Sequence, residues 1–161
     1  MRILDLTAGN RAVWFDKQNP LCTFLDIRPE MNPDVVADSR HLDASIGAEY
    51  DLIVFDPPHM TCGPKSVMAQ RYGHFLTAEI RELVQLAGRE AHRVSKPNAL
   101  MAFKWNDHDT RLEVVLGLLA THWAPLFGHK VSQRLKHSSQ TCWVMLLRQE
   151  TQTVTGKEPP Q

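Results

Sequence analysis

Asp51-Leu52-Ile53-Val54-Phe55-Asp56-Pro57-Pro58-His59 is a short apolar, β-branched run stopped by an aspartate and two prolines. A run of this length with no polar face reads as a strand, Asp51–Phe55, covered on both sides as in a parallel sheet. Proline offers no N–H to a ladder and fixes its own φ, so Pro57 and Pro58 end the strand and stiffen the turn behind it. The Pro57 carbonyl is then left without a ladder partner beside the Asp56 carboxylate, and two acceptors face one point.

Working outward, similar runs at Arg2–Leu6, Cys22–Ile27, Asp34–Ala37, Ala99–Trp105, Leu126–Val131 and Thr141–Leu147 complete seven expected strands. Ile80, Leu83, Val84, Ala87, Ala91 and Val94 recur at helical spacing, as do Leu112, Val115, Leu116, Leu119 and Trp123. Thr110-Arg111-Leu112-Glu113 has the pattern of a capping box for the second helix, and Asn10–Lys17 and Asp43–Ala48 read as shorter helical pieces. Strands alternating with helices imply an α/β fold, a Rossmann-like open sheet that is mostly parallel. The first four strands are expected to be buried on both faces. Only Ser132–Gln140 separates the last two strands, too little for a crossover helix, so they pair as an antiparallel C-terminal hairpin at one edge. The domain is expected over residues 1–148, with 149–161 a flexible tail.

At 161 residues the chain fits one domain, and 43% hydrophobic with 22% charged residues excludes the disordered class. No apolar run reaches the length of about 18 residues that spans a bilayer, and no signal-peptide pattern precedes the first strand, so a cytoplasmic protein is expected. Formal charge is zero, which excludes a globally basic nucleic-acid binder. No acidic residue lies between Glu113 and Glu150, however, while Lys130, Arg134, Lys136 and Arg148 do, giving a local basic bias that suits either a solvated face or a phosphate-contacting one. Cys22, Cys62 and Cys142 lack zinc-ligand or disulfide spacing, and the histidines show no paired ligand spacing; free thiols and no metal are expected.

Ligands of open parallel sheets bind beyond the carboxyl ends of the strands. Here those ends are polar in succession: Asp5-Leu6-Thr7-Ala8-Gly9-Asn10, Asp26-Ile27, Asp38-Ser39 and Asp56-Pro57-Pro58-His59. Asp26 follows Asp5 at close to the spacing of roughly 20 at which an acidic residue meets a ribose in dinucleotide folds, yet the first turn holds only Gly9 and lacks the glycines that cradle a pyrophosphate. A nucleoside cofactor without phosphates needs less of that turn. S-adenosylmethionine is the candidate: Gly9 admits its amino-acid end, Asp26 its ribose hydroxyls and Asp38 its adenine amine.

The acceptors at Asp56 and Pro57 suit a particular chemistry. An exocyclic amine on a base is a poor nucleophile because its lone pair is delocalised into the ring; two acceptors gripping its hydrogens favour a pyramidal nitrogen and aim the lone pair outward. His59 either stacks on the base or is hydrogen-bonded within its turn.

Asp56-Pro57-Pro58-His59 resembles the (Asp/Asn/Ser)-Pro-Pro-aromatic motif of class I S-adenosylmethionine-dependent amino-methyltransferases that make N6-methyladenine or N4-methylcytosine. The likeness spans about residues 2 to 148. Together with Arg93-Val94, Lys96-Pro97, Phe103-Lys104-Trp105 and Pro125-Leu126-Phe127-Gly128-His129, it is similar to small methyltransferases of phages and prophages presumed to act on DNA. The resemblance implies methyl transfer to a nucleobase amine in DNA, N6-adenine ahead of N4-cytosine. Asp56 and Pro57 would contact the amine, and Asp5, Gly9, Asp26 and Asp38 the cofactor. RNA or protein-amide methylation, or a non-catalytic binding subunit, are the alternatives. The chain departs from the pattern in its reduced Ala8-Gly9-Asn10 turn, in starting at strand one and in leaving no room for a target-recognition domain, so short or absent sequence specificity is expected of a monomer or homodimer.

Met60–Phe75 exceeds the usual connection of about 2–6 residues and reads as a substrate loop, with Lys65 and Arg71 for phosphates and Tyr72 for bases, or as a loop packed on the domain. Lys104, at the end of its strand, contacts substrate or caps that end. Cys62 follows Thr61 rather than a proline, unlike a C5-cytosine nucleophile, and is taken as incidental.

Overall fold

The computed structural model describes residues 1–59, 61, 76–128 and 141–150. Seven strands form one sheet: β1 (Ile3–Asp5), β2 (Cys22–Asp26), β3 (Val35–Val36), β4 (Tyr50–Phe55), β5 (Ser95–Asn106), β6 (Trp123–Gly128) and β7 (Thr141–Arg148). Their order is β3-β2-β1-β4-β5-β7-β6; β1 to β5 pair in parallel, and β7 runs antiparallel between β5 and β6. The chain has a Rossmann-like open sheet with a C-terminal antiparallel hairpin, as the alternation of strands and helices predicts.

Two helices, α1 (Thr77–Val94) and α2 (Leu112–Leu119), pack on one face. Ile80, Leu83, Val84, Ala87, Ala91 and Val94 of α1 meet Leu4, Ile53, Phe55, Met101 and Phe103 of the sheet in the larger core. Full burial of each large aliphatic side chain there is worth about 1.5–3 kcal/mol. Gly88 permits this packing, since a methyl on it would overlap Leu119 Cδ2 of α2. Alternation sends Ile3, Cys22, Phe24 and Val54 to the other face, where Val13 and Trp14 cover them.

Several local expectations fail for physical reasons. No helix forms over Asn10–Lys17. Arg11 has φ 57°, a left-handed conformation that stops a helix, and its guanidinium lies 3.9 Å over the Phe24 ring. The segment is a run of turns whose Trp14 Nε1–H donates to Asp5. The capping box also fails: Asp107 Oδ1 takes the Leu112 N–H at 2.7 Å, and Thr110 is buried, its carbonyl accepting Trp105 Nε1–H. Trp123 belongs to β6 rather than α2 because its buried indole N–H reaches the Gly88 carbonyl at 2.8 Å. β3 is a two-residue edge strand with Val36 exposed, not covered on both faces. Asp43–Ala48 does contain a 3-10 turn, Ala44–Ile46, capped by Asp43.

Gln149, expected to begin the tail, is anchored instead. Its N–H donates to the His122 carbonyl and its own carbonyl accepts His92 Nε2–H at 2.7 Å. Cys22 and Cys142 are free thiols; burial pushes Cys22 up to about 12, which removes it from nucleophilic use at neutral pH. No helix among the described residues is long and apolar enough to cross a membrane.

Candidate active site

A cleft of about 700 Å³ opens beyond the carboxyl ends of β1 to β5. It is lined by Asp5, Thr7, Ala8, Gly9, Asn10, Asp26, Ile27, Asp38, Ser39, Asp56, Pro57, Pro58, His59 and Lys104. The sequence-predicted cofactor and catalytic residues are thus brought together in one place, and Lys104 of the predicted substrate set joins them. Lys65, Arg71, Tyr72, Lys130, Arg134 and Lys136 lie outside the described residues, as does Cys62.

At the centre, Asp5 is buried at the end of β1, accepting Thr7 N–H at 3.1 Å and Trp14 Nε1–H at 2.7 Å. Burial pushes its carboxyl up to about 6 against those hydrogen bonds, and the nearby charges of Asp56 and Asp26 push the same way. Gly9 follows with φ 51°, a conformation that costs glycine little. Its N–H donates to Asp26 Oδ2 at 2.8 Å, and a Cβ there would stand 3.4 Å from the Arg28 guanidinium.

At the β2 and β3 ends each aspartate is clasped by the arginine two residues on. Asp26 Oδ1 accepts Arg28 N–H and Nε–H, both at 2.9 Å, and Oδ2 accepts Arg28 Nη2–H at 3.2 Å beside the Gly9 bond. Burial raises the Asp26 carboxyl, but the bonds from Arg28 and Gly9 outweigh it and hold the group below its usual range. Asp38 takes Arg40 Nη2–H at 2.6 Å, Nε–H at 3.0 Å and Arg40 N–H at 2.9 Å; Arg40 likewise lowers its pKa. A carboxylate has about four lone-pair sites. On Asp26 the four bonds occupy them all, so a hydroxyl reaching that carboxylate takes the place of an Arg28 bond.

At the β4 end the cation comes from another strand: Lys104 Nζ of β5 lies 2.6 Å from Asp56 Oδ2. Asp56 N–H donates to Thr7 Oγ1 at 3.0 Å, tying the β4 turn to that of β1. The Pro57 carbonyl is not unpartnered, as its proline context predicts, because His59 Nδ1–H reaches it at 3.0 Å. One carbonyl lone pair remains for a further donor. The His59 ring also packs edge-on against Trp105 at 6.1 Å, and burial holds its pKa below the ordinary histidine value, leaving it neutral at pH 7.

Sequence reasoning missed Arg28, Arg40 and Trp14. The repeated Asp-x-Arg after two successive strands, Asp26-Ile27-Arg28 and Asp38-Ser39-Arg40, was a usable signal for the arginines. Nothing in the sequence marked Trp14. Among the described residues no cluster of histidine, cysteine and carboxylate side chains is arranged to hold a metal ion.

No family model and no curated protein matches the chain. Solved structures do match. The N-methyltransferase NodS from Bradyrhizobium japonicum WM9, in complex with S-adenosyl-L-homocysteine, superposes with a TM-score of 0.60 at 13% identity, covering 92% of this chain and 78% of that one. A TehB-like S-adenosylmethionine-dependent methyltransferase from Corynebacterium glutamicum gives 0.61 at 16% identity, covering 92% and 80%. An rRNA methylase from Streptococcus thermophilus gives 0.55 at 12%, covering 92% and 87%. At such identities the likeness establishes the fold.

Proposed function

We propose that the chain is an S-adenosylmethionine-dependent N-methyltransferase acting on an exocyclic amino group of a nucleobase in DNA, N6 of adenine ahead of N4 of cytosine. The observation that carries this reading is the meeting, in one cleft, of Asp56-Pro57-Pro58-His59 with the aspartates at the ends of β1, β2 and β3. The donor set suits the cofactor: Gly9 leaves room beside Asp26, and carboxylates rather than phosphate-binding glycines stand at the β2 and β3 ends. Asp26 would hold the ribose, Asp38 the adenine amine and the Asp5–Asn10 turn the amino-acid end; S-adenosylmethionine, when bound, supplies an electrophilic methyl group.

Asp56 then accepts a hydrogen of the target amine, and the Pro57 carbonyl accepts the other through its remaining lone pair. Lys104 holds the Asp56 carboxylate in position. The amine needs orientation more than prior deprotonation, because its proton leaves readily once the nitrogen carries positive charge. His59 fixes the Pro57 carbonyl and lines the cleft. With the target base flipped out of a duplex at a cost of a few kcal/mol, single strands and weakly paired sites are favoured substrates.

A second reading, with RNA as substrate, is favoured by the rRNA methylase among the structural neighbours. One experiment separates them: DNA and RNA are incubated with the protein and methyl-labelled cofactor, and the nucleosides are resolved by mass spectrometry. Labelled N6-methyldeoxyadenosine is expected. Label in RNA alone transfers the assignment to the second reading, and label in neither overturns both.

A further inference from the structure

The chain has four tryptophans, and three are used internally: Trp105 and Trp123 are fully buried with their N–H groups on the Thr110 and Gly88 carbonyls, and Trp14 binds Asp5. Trp143 is different. It stands 38% exposed on β7, directly opposite Lys104 in the antiparallel register. Alternation puts the flanking Cys142 and Val144 opposite Trp105 and Phe103, on the face that α1 and α2 cover, so Trp143 and Lys104 share the face those helices leave free. Lys104 Nζ lies 5.9 Å from the centre of the Trp143 ring and 2.6 Å from Asp56 Oδ2, so one lysine links the exposed indole to the Asp-Pro-Pro-His turn.

Resting on the nucleic-acid reading above, we propose that Trp143 is the stacking platform for the nucleobase adjoining the target base. A base has a π-face whatever its identity, so an exposed indole beside the cleft mouth grips the strand without reading its sequence. Lys104, held by Asp56 on one side and 5.9 Å from the ring centre on the other, fixes the indole's position relative to the Asp-Pro-Pro-His turn. Such a platform also compensates the stacking lost when the target base leaves its neighbour.

The test is titration of the full-length protein with a short single-stranded deoxyadenosine oligonucleotide, followed by tryptophan emission and, with a labelled oligonucleotide, by anisotropy. Wild-type emission should be quenched at its exposed, red-shifted component. Trp143→Ala should weaken binding about 5- to 150-fold, the span of one base–aromatic stack. Trp143→Phe should keep affinity within about threefold while losing the quench, and methylation by Trp143→Ala should show a raised KM with kcat little changed. Binding without quenching, or a folded Trp143→Ala protein that binds as wild type, overturns the Trp143 assignment and leaves the nucleic-acid reading standing. If Trp143→Ala does not fold, wild-type quenching and Trp143→Phe affinity decide the matter. Absence of any oligonucleotide binding by the wild type overturns both.

Discussion

At both ends of the cleft a carboxylate meets a cation, but the cation comes from different distances along the chain. Asp26 and Asp38 are clasped by Arg28 and Arg40, two residues away on the same turn. Asp56 is met by Lys104, 48 residues away on the neighbouring strand. The guanidinium bonds of such a clasp open by rotation of the arginine side chain, while the backbone N–H bonds to each carboxylate stay in place. The Asp56–Lys104 pair instead joins two strands of the sheet and holds its carboxylate where β4 and β5 put it. The end proposed for the cofactor is therefore exchangeable, and the end proposed for the target amine is fixed.

The sharpest way to break this contrast is at Asp56. Asp56→Ala should lower transfer of labelled methyl to DNA by about 10²–10³-fold, the scale on which a single oriented polar group matters at a reacting centre, with cofactor affinity nearly unchanged. Asp56→Asn should retain a trace through its amide oxygen. Wild-type turnover in a folded Asp56→Ala protein would reduce the motif to a turn.

Next in size is Asp5, which sits between the two ends and is held by the Thr7 N–H and the Trp14 indole instead of by a cation such as clasps Asp26 and Asp38. Its carboxyl, raised from an ordinary 3.8 to about 6, keeps a proton in the folded protein that the unfolded chain has already released over that interval. The contribution of this group, about 3 kcal/mol at low pH, should therefore fall as pH rises from about 4 to 6 and be absent above that. Asp26 and Asp38, with lowered values, act in the opposite sense: their stabilisation is present above the unfolded carboxylate range and is lost as pH falls through the folded values. Urea unfolding across this range should show a flatter loss in Asp5→Asn than in wild type; identical slopes would contradict the assignment.

Asp26→Ala should weaken S-adenosylmethionine binding by about 1.5–3 kcal/mol in calorimetry, since charge-assisted hydrogen bonds to the ribose disappear. The smallest expected effect has the reverse sign. Arg28→Ala frees lone pairs that a ribose must otherwise win from the arginine, and cofactor should bind about 2- to 10-fold more tightly, the span of one net hydrogen bond. Weaker binding in Arg28→Ala would show that the arginine contributes to the cofactor site instead of competing for it.

What the sequence disclosed divides along the same line. Short apolar runs bounded by chain breakers identify strands because such residues suit a pleated backbone, and all seven were legible, β3 and β6 included although Val36, Leu126 and Phe127 are exposed. The turn at Asn10–Lys17 was not, because its conformation depends on Arg11 lying over Phe24 and on Trp14 reaching Asp5, side-chain contacts that local propensity does not encode. The same holds for Thr110, whose capping pattern loses to Asp107, and for Trp123, drawn out of the helix by the Gly88 carbonyl. Within the cleft, strand-end aspartates could be read from position alone. The partners they take required knowledge of which side chains the sheet brings within reach, and Lys104 was placed near the ligand without its pairing to Asp56.

The differing reach of these contacts also bears on the order in which the molecule assembles. Closing a short loop costs less chain entropy than closing a long one, so contacts between residues 5 and 14, 9 and 26, and 26 and 28 are available early to a collapsing chain. The Asp56–Lys104 pair and the β5–β7 ladder wait for much longer segments to return. Loop-closure entropy thus favours a folding sequence in which the arginine-clasped aspartates are set before the end that orients the amine, and a chain caught midway would present a half-cleft able to receive a nucleoside and unable to act on a base.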